Sequence, residues 1–315
     1  MSSANHQAEF ESLSLEAIAD ADQYPYWLED ADQPVPHPTL VRNETCDLCI
    51  VGGGYTGLWT AIIAKERDPG REILLIDAQQ VGAAASGRNG GFMDASLTHG
   101  IANGQERFPK ELKLLEELGI ANLNAIESAI KHYKIDCAFE RNGVIEVGTT
   151  AHPQSYLDEM HDEYLQISSL GQKVTWLDQE QMRSEVNSPT YTGGLWVHDR
   201  AAIVDPARLA WGLKAAALSL RVRIYEDTKA TSIESEGAGV LVTTPLGKIQ
   251  ARKVALATNA FKPLLKRLNN YIAPVYDYCM VTEPLTAEQL HSIGWLRRSR
   301  FDFALVCLFM AHTIA

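Results

Sequence analysis

A chain of 315 residues with 46% hydrophobic and 22% charged side chains is long enough for two domains and has the balance of an ordinary folded protein, which excludes disorder and collagen-like repeats. Forty acidic against 28 basic residues leave a net charge of −12, a field that repels phosphate backbones and anionic lipid, so neither nucleic acid nor a membrane is an expected partner. Five irregularly spaced cysteines fit reduced thiols, and Met1 to Ala21 lacks the basic and apolar regions of a signal peptide, so the expected location is cytoplasmic.

Residues 1–40 read as an acidic, aromatic and proline-rich arm, with Tyr24, Tyr26 and Trp27 ahead of Pro34, Pro36 and Pro38. Asp47 to Val51 is a short apolar run stopped by Gly52-Gly53-Gly54; Thr56 to Arg67 is helix-compatible, and Arg71 to Asp77 is a second buried strand. The segment is a βαβ unit with a parallel crossover. A glycine-rich loop, Val81 to Gly91, leads to two predicted helices, Arg107 to Leu118 and Ala121 to Tyr133. Phe139 to Val147 reads as a hairpin turning at Asn142-Gly143. A polar helix (Pro153 to Leu170), a strand (Lys173 to Leu177) and a short helix (Asp178 to Glu185) follow. Pro206 to Leu220 is a helix capped by Asp205. Val222 to Tyr225, Ala230 to Ile233, Val240 to Thr244, Lys248 to Gln250 and Lys253 to Ala257 are strands. The apolar end, Phe301 to Ala315, is shorter than the roughly 20 residues a spanning helix needs.

Gly52-x-Gly54-x-x-Gly57 follows a buried strand and opens a helix, and Asp77 ends the next strand twenty residues past Gly57. In that context Gly52 makes the sharp turn, Gly54 lets backbone approach a pyrophosphate, Gly57 allows helix and strand to pack closely, and the helix start at Tyr55 and Thr56 faces the phosphates. Asp77 can accept hydrogen bonds from a ribose diol, which points to NAD or FAD rather than a 2′-phosphorylated dinucleotide. The stretch from Gly82 to Gly91 then removes bulk where a second cofactor portion would pass, and Ser86, Arg88 and Asn89 supply donors; an NAD domain would run into another crossover helix there.

Four pieces together resemble the FAD-dependent amine and amino-acid oxidoreductases of the D-amino-acid oxidase, glycine oxidase and sarcosine oxidase group, most of all gamma-glutamylputrescine oxidase-like members. They are Asp47 to Leu58, Ser86 to Gly91, Asp205-Pro206-Ala207-Arg208-Leu209, and Ala255 to Phe261. The aromatic arm at Tyr26-Trp27-Leu28 and the segment from Ala273-Pro274 to Thr282-Glu283-Pro284-Leu285 are also similar. The resemblance implies an α/β fold: a Rossmann-like FAD-binding domain with a parallel βαβ sheet, and an interleaved α+β antiparallel-sheet substrate domain. The first would comprise residues 41–95 and 190–260, the second 96–189 and 261–300, with 1–40 an arm and 301–315 an atypical apolar tail. Gly52, Gly54, Tyr55, Thr56 and Gly57 would hold the pyrophosphate, Asp77 the adenosine ribose, and Ser86, Arg88, Asn89, Gly90 and Gly91 the pyrophosphate and flavin side. Ala230 would touch adenine through backbone, and Thr258 and Asn259 would close over the cofactor.

The implied chemistry is oxidation of the C–N bond of a small-molecule primary or secondary amine or amino acid, with hydride passing to flavin N5 and the imine hydrolysed. Tyr276 and Tyr278 are candidates for lining the substrate pocket, and no residue is singled out as catalytic. After Ile293-Gly294-Trp295 the likeness ends, and the apolar end resembles the product of a truncation, which leaves a second reading open: a flavin-binding fragment without turnover. Cys307 matches no covalent attachment point, so FAD is expected to be non-covalent. Cys46 and Cys49, three apart on a strand, are expected to point to opposite faces and to serve packing. His152 and His161 lack ligand spacing, and no metal is expected.

Overall fold

The computed structural model describes residues 24–274, 278–294 and 305–308. β1 (Glu44–Val51) leads through the glycine turn into α1 (Tyr55–Arg67) and on to β2 (Ile73–Ile76). β3 (Phe92–Asp94), α2 (Ile101–Arg107), α3 (Leu112–His132), β4 (Val144–Thr149), α4 (Gln154–Ser169), β5 (Val174–Leu177), α5 (Gln179–Glu185), β6 (Tyr191–Val197) and β7 (Ala201–Ile203) follow. The chain then runs through α6 (Pro206–Ser219) to β8 (Arg223–Tyr225), β9 (Ser232–Glu236), β10 (Gly239–Thr243) and β11 (Lys248–Leu256). β12 (Tyr278–Val281), α7 (Ala287–Ile293) and β13 (Leu305–Leu308) come last.

The main sheet has the order β8-β2-β1-β11-β10-β9. β8, β2, β1 and β11 are parallel, and β10 and β9 continue the sheet as an antiparallel meander. Every residue of β2 is buried, as expected of a strand covered on both faces. Alternation divides those residues cleanly: Ile73 and Leu75 join Leu58 and Ile62 of α1 and Leu209 and Leu213 of α6, whereas Leu74 and Ile76 join Val242 and Ile249 on the other face. A second, antiparallel sheet has the order β4-β6-β5, and α4 lays Met160 and Ile167 on its Leu195 and Val197. The chain is therefore α/β, with its parallel strands in one sheet.

Several expectations are corrected. The two helices predicted across 107–133 are one helix, α3, with α2 ahead of it. Gly119, at the expected break, is buried instead against the Ala95 carbonyl, where a side chain would strike the backbone. Asn142-Gly143 lies in irregular backbone, with Gly143 at φ +77° and its N–H donated to the Ala201 carbonyl, and no hairpin forms: Glu140 bridges Ile203 and β4 pairs with β6. Lys248 to Gln250 and Lys253 to Ala257 belong to one strand, because β11 pairs with β1 on one edge and β10 on the other. Cys46 and Cys49 do not face opposite ways. The N–H groups of Asp47 and Leu48 both donate to the Glu72 carbonyl, at 2.9 and 3.2 Å, which breaks the alternation of β1 and places both thiols in one buried cluster.

Candidate functional site

The C-terminal ends of β1, β2, β8 and β11 converge on one edge of the sheet, the place where open parallel sheets bind ligands. Gly52 leaves β1 at φ +114°, and a side chain there would strike the Ala257 carbonyl just beyond β11. That contact sets Thr258 and Asn259 beside the glycine turn; Asn259 itself adopts φ +48°. Gly54 precedes α1 as its N-cap without a capping side chain, so the first N–H groups of the helix face outward from the turn. One of them, Tyr55 N–H, donates to Ser86 Oγ at 3.0 Å. Having accepted that bond, the Ser86 hydroxyl keeps its own proton to donate. A Cβ on Gly54 would lie 2.8 Å from the same oxygen and close the gap.

Asp77 stands at the end of β2. Its Oδ2 accepts Gly53 N–H at 2.6 Å and its Oδ1 accepts Gln79 N–H at 2.8 Å. Burial raises the carboxyl above its ordinary range, and the nearby charges of Glu226 and Asp227 push it further, against the two backbone N–H bonds that lower it. A carboxylate has more acceptor sites than those two, so a diol can still be received. The Asp77 carbonyl accepts Thr228 N–H at 2.7 Å, which brings Ala230, buried with Val51 and Ile76, to this edge.

The loop after β2 is shaped by its own side chains. Asn89 Nδ2 donates to the carbonyls of Ala85 and Ser86, at 3.1 and 2.9 Å, and its Oδ1 accepts Gly91 N–H at 2.9 Å. Arg88 is exposed and donates through Nε to the Ala83 carbonyl at 2.7 Å, leaving further guanidinium donors. Asn89 thus forms the loop rather than presenting its amide outward. Gly90 and Gly91 are buried, and Gly91 accepts Val204 N–H at 2.9 Å. Tyr55 donates from its hydroxyl to the Pro206 carbonyl at 2.8 Å, tying the start of α1 to the start of α6. Burial pushes its phenol up. Thr56 is exposed and Gly57 buried on the first turn of α1.

Gly52, Gly54, Tyr55, Thr56, Gly57, Asp77, Ser86 to Gly91, Ala230, Thr258 and Asn259 are therefore gathered at one sheet edge. Tyr276 lies outside the described residues. Tyr278 pairs through its backbone with Leu308, in a two-stranded antiparallel sheet of β12 and β13. Sequence reasoning missed Glu226, which is fully buried and accepts Val81 N–H at 2.7 Å and two bonds from Lys214 Nζ at 2.8 Å. A glutamate after a three-residue strand and a lysine twelve positions earlier carry no local pattern that pairs them. Among the described residues no group of His, Cys, Asp or Glu is arranged to hold a metal, and no helix is long and apolar enough to cross a membrane.

The narrow turn, the open helix start, the carboxylate acceptor and the hydroxyl donor fit a dinucleotide. Comparison with known proteins says which kind. Residues 47–311 match the family described as FAD dependent oxidoreductase. The chain is similar to gamma-glutamylputrescine oxidoreductase of Escherichia coli K12, 32% identical over 238 residues that make up 75% of this chain and 54% of that protein. It is also similar to a probable oxidoreductase of Haemophilus influenzae, 25% identical, covering 85% of this chain and 62% of the other. Its fold is that of glycine oxidase from Geobacillus kaustophilus, with a TM-score of 0.59 at 22% identity over 69% of this chain and 56% of that one. The chain thus spans 54% and 62% of the length of these two curated relatives. With the motifs at one sheet edge and the match running through most of its length, the chain belongs to the FAD dependent oxidoreductase family.

Proposed function

We propose that this chain binds FAD non-covalently along the C-terminal edge of the main sheet and oxidises the C–N bond of a small primary or secondary amine or amino acid of the gamma-glutamylputrescine type. Residues 41–95 and 190–260 would carry the cofactor, and 96–189 with 261–300 the substrate side. The observation that carries the reading is the convergence of Gly52 to Gly57, Asp77 and Ser86 to Gly91 in a chain of this family. When bound, FAD supplies a two-electron acceptor for hydride from the carbon next to nitrogen, and the imine left behind hydrolyses.

The protein's part is binding, orientation and exclusion of water. The start of α1 offers N–H groups and the positive end of the helix dipole to the pyrophosphate. Ser86 adds a hydroxyl donor beside them, and Asp77, as the carboxylate, accepts from the ribose. Asn89 holds the Ala85 to Gly91 turn so that its glycines line the cofactor's path. No side chain is assigned to proton transfer, since a neutral amine carries the electron pair that expels hydride. The acceptor that reoxidises the cofactor is oxygen or a carrier.

The test is anaerobic addition of gamma-glutamylputrescine and a panel of small amines and amino acids to the FAD-loaded chain, followed by visible absorbance. Bleaching by one substrate class is the expected result. Retained FAD that no amine reduces would overturn the oxidase assignment and leave a flavin-binding chain.

A further inference from the structure

The arm ahead of β1 lies outside the stretch that matches the family, which begins at residue 47, yet it is built into the cofactor edge. Its 3-10 turn, Tyr26–Glu29, buries Trp27 and Leu28 against Ala207 and Trp211 of α6. Leu28 also packs on the loop, with Cδ2 only 3.0 Å from where a Cβ on Gly87 would stand. Arg208 grips the arm through Asp30 at 2.5 Å and Asp32 at 3.1 Å. Further along, Gln33 Nε2 donates to Gln80 Oε1 at 3.0 Å, and Leu40 N–H donates to Thr228 Oγ1 at 3.0 Å. Between those points His37 N–H donates to Glu226 Oε2.

Glu226 is where arm and loop meet. One carboxylate receives the His37 N–H from the arm, the Val81 N–H from the first residue of the loop, and Lys214 Nζ from α6. Lys214 and Glu226 are both buried, and two charges taken out of water recover their desolvation cost only through such partners; an apolar pair of similar size serves stability as well. What the ion pair adds is placement. Val81 walls the glycine turn, with its Cγ2 2.8 Å from where a Cβ on Gly53 would be, and Gly82 N–H donates to the Gly53 carbonyl at 3.2 Å.

We infer that residues 26–40 are a strap laid across the cofactor loop, and that Glu226 is the positioning residue that keys strap and loop to one point, so that the strap slows release of the cofactor. The inference rests on the FAD reading above. It is tested with the full chain in two variants: Leu28→Ala with Asp30→Asn, which loosens the strap and leaves the loop sequence intact, and Glu226→Gln with Lys214→Met, which leaves no lone buried charge. Two quantities are measured: FAD dissociation, followed by the recovery of free flavin fluorescence on dilution, and hydrogen exchange of peptides containing His37 and Val81 in the chain without FAD.

Both variants are expected to keep a cooperative unfolding transition and to lose FAD about tenfold faster or more, the scale of two lost contacts. The second is expected also to speed exchange at His37 and Val81 together. Wild-type release rates in the strap variant would overturn the inference, as would unchanged exchange in the Glu226 variant. A wild-type chain that takes up no FAD would refute the FAD reading itself, and the exchange result would then decide the keying of strap and loop by Glu226.

Discussion

Asp77 is placed where burial and two neighbouring acids oppose its charge and raise its pKa, against the N–H groups of Gly53 and Gln79 that favour the carboxylate. On the proposed reading the ionised form would receive the ribose diol, and the raised pKa fixes the sign of the pH effect. As pH falls through that value the acceptor is lost, so FAD affinity is predicted to weaken on acidification beginning above the ordinary carboxylate range. Fluorescence titrations of FAD at a series of pH values check this, and Asp77→Asn is predicted to bind about tenfold more weakly with the pH dependence flattened. The same raised pKa affects stability in the opposite sense. The folded state binds this proton more tightly than the unfolded one, so the Asp77 contribution is greatest at low pH and declines as pH rises from the unfolded to the folded pKa. Asp77 and the three glycines were legible in the sequence because their spacing is local. Glu226 was not, because its partners at 37, 81 and 214 come from three distant segments. Asn89 is expected from sequence to offer a donor to the cofactor, whereas its bracing of the Ala85 to Gly91 turn depends on loop geometry that composition does not encode.

At the scale of elements, chemistry at chain ends was easier to read than pairing. Asp205 caps α6 as expected, with Oδ1 accepting Arg208 N–H at 2.9 Å and Pro206 at the first turn. Asp205→Ala is predicted to cost about 1 kcal/mol, measured as a shift in denaturant midpoint. Gly52→Ala is predicted to cost at least about 2 kcal/mol, because the positive φ is strained for alanine and its methyl meets the Ala257 backbone. Helix α4 and strand β5 also follow the predicted pattern to within a residue or two. The failures share a cause. Gly119 looked like a helix break, but tertiary contact with Ala95 uses the missing side chain for a close approach. Asn142-Gly143 announced a turn without naming its partners, and β6, carrying Gly193 and Gly194, has too little apolar alternation to be seen as the centre of a sheet.

For the whole molecule, what sequence periodicity could not supply is that residues 44–76 and 223–256 enter one sheet, since alternation identifies strands and faces but not neighbours. The expectation that they do comes from the family resemblance, and in the structure the sheet runs β8-β2-β1-β11-β10-β9. Buried charge marks the long-range joints. Arg200 and Glu116 pair at 2.6 Å in a buried site that ties α3 to the turn between β6 and β7. Glu116→Ala is predicted to cost about 3 to 5 kcal/mol by leaving Arg200 unpaired, and an apolar replacement of both to cost far less, as denaturant unfolding of the three chains would show.

The proposed function requires that this sheet edge hold FAD without a covalent link. The most direct measurement is to incubate the purified chain with FAD, separate it from free flavin by gel filtration, and record visible absorbance before and after acid precipitation. The prediction is one flavin per chain that co-elutes with protein and passes wholly into the acid supernatant. Protein that elutes without flavin, or flavin that stays with the precipitate, would contradict it.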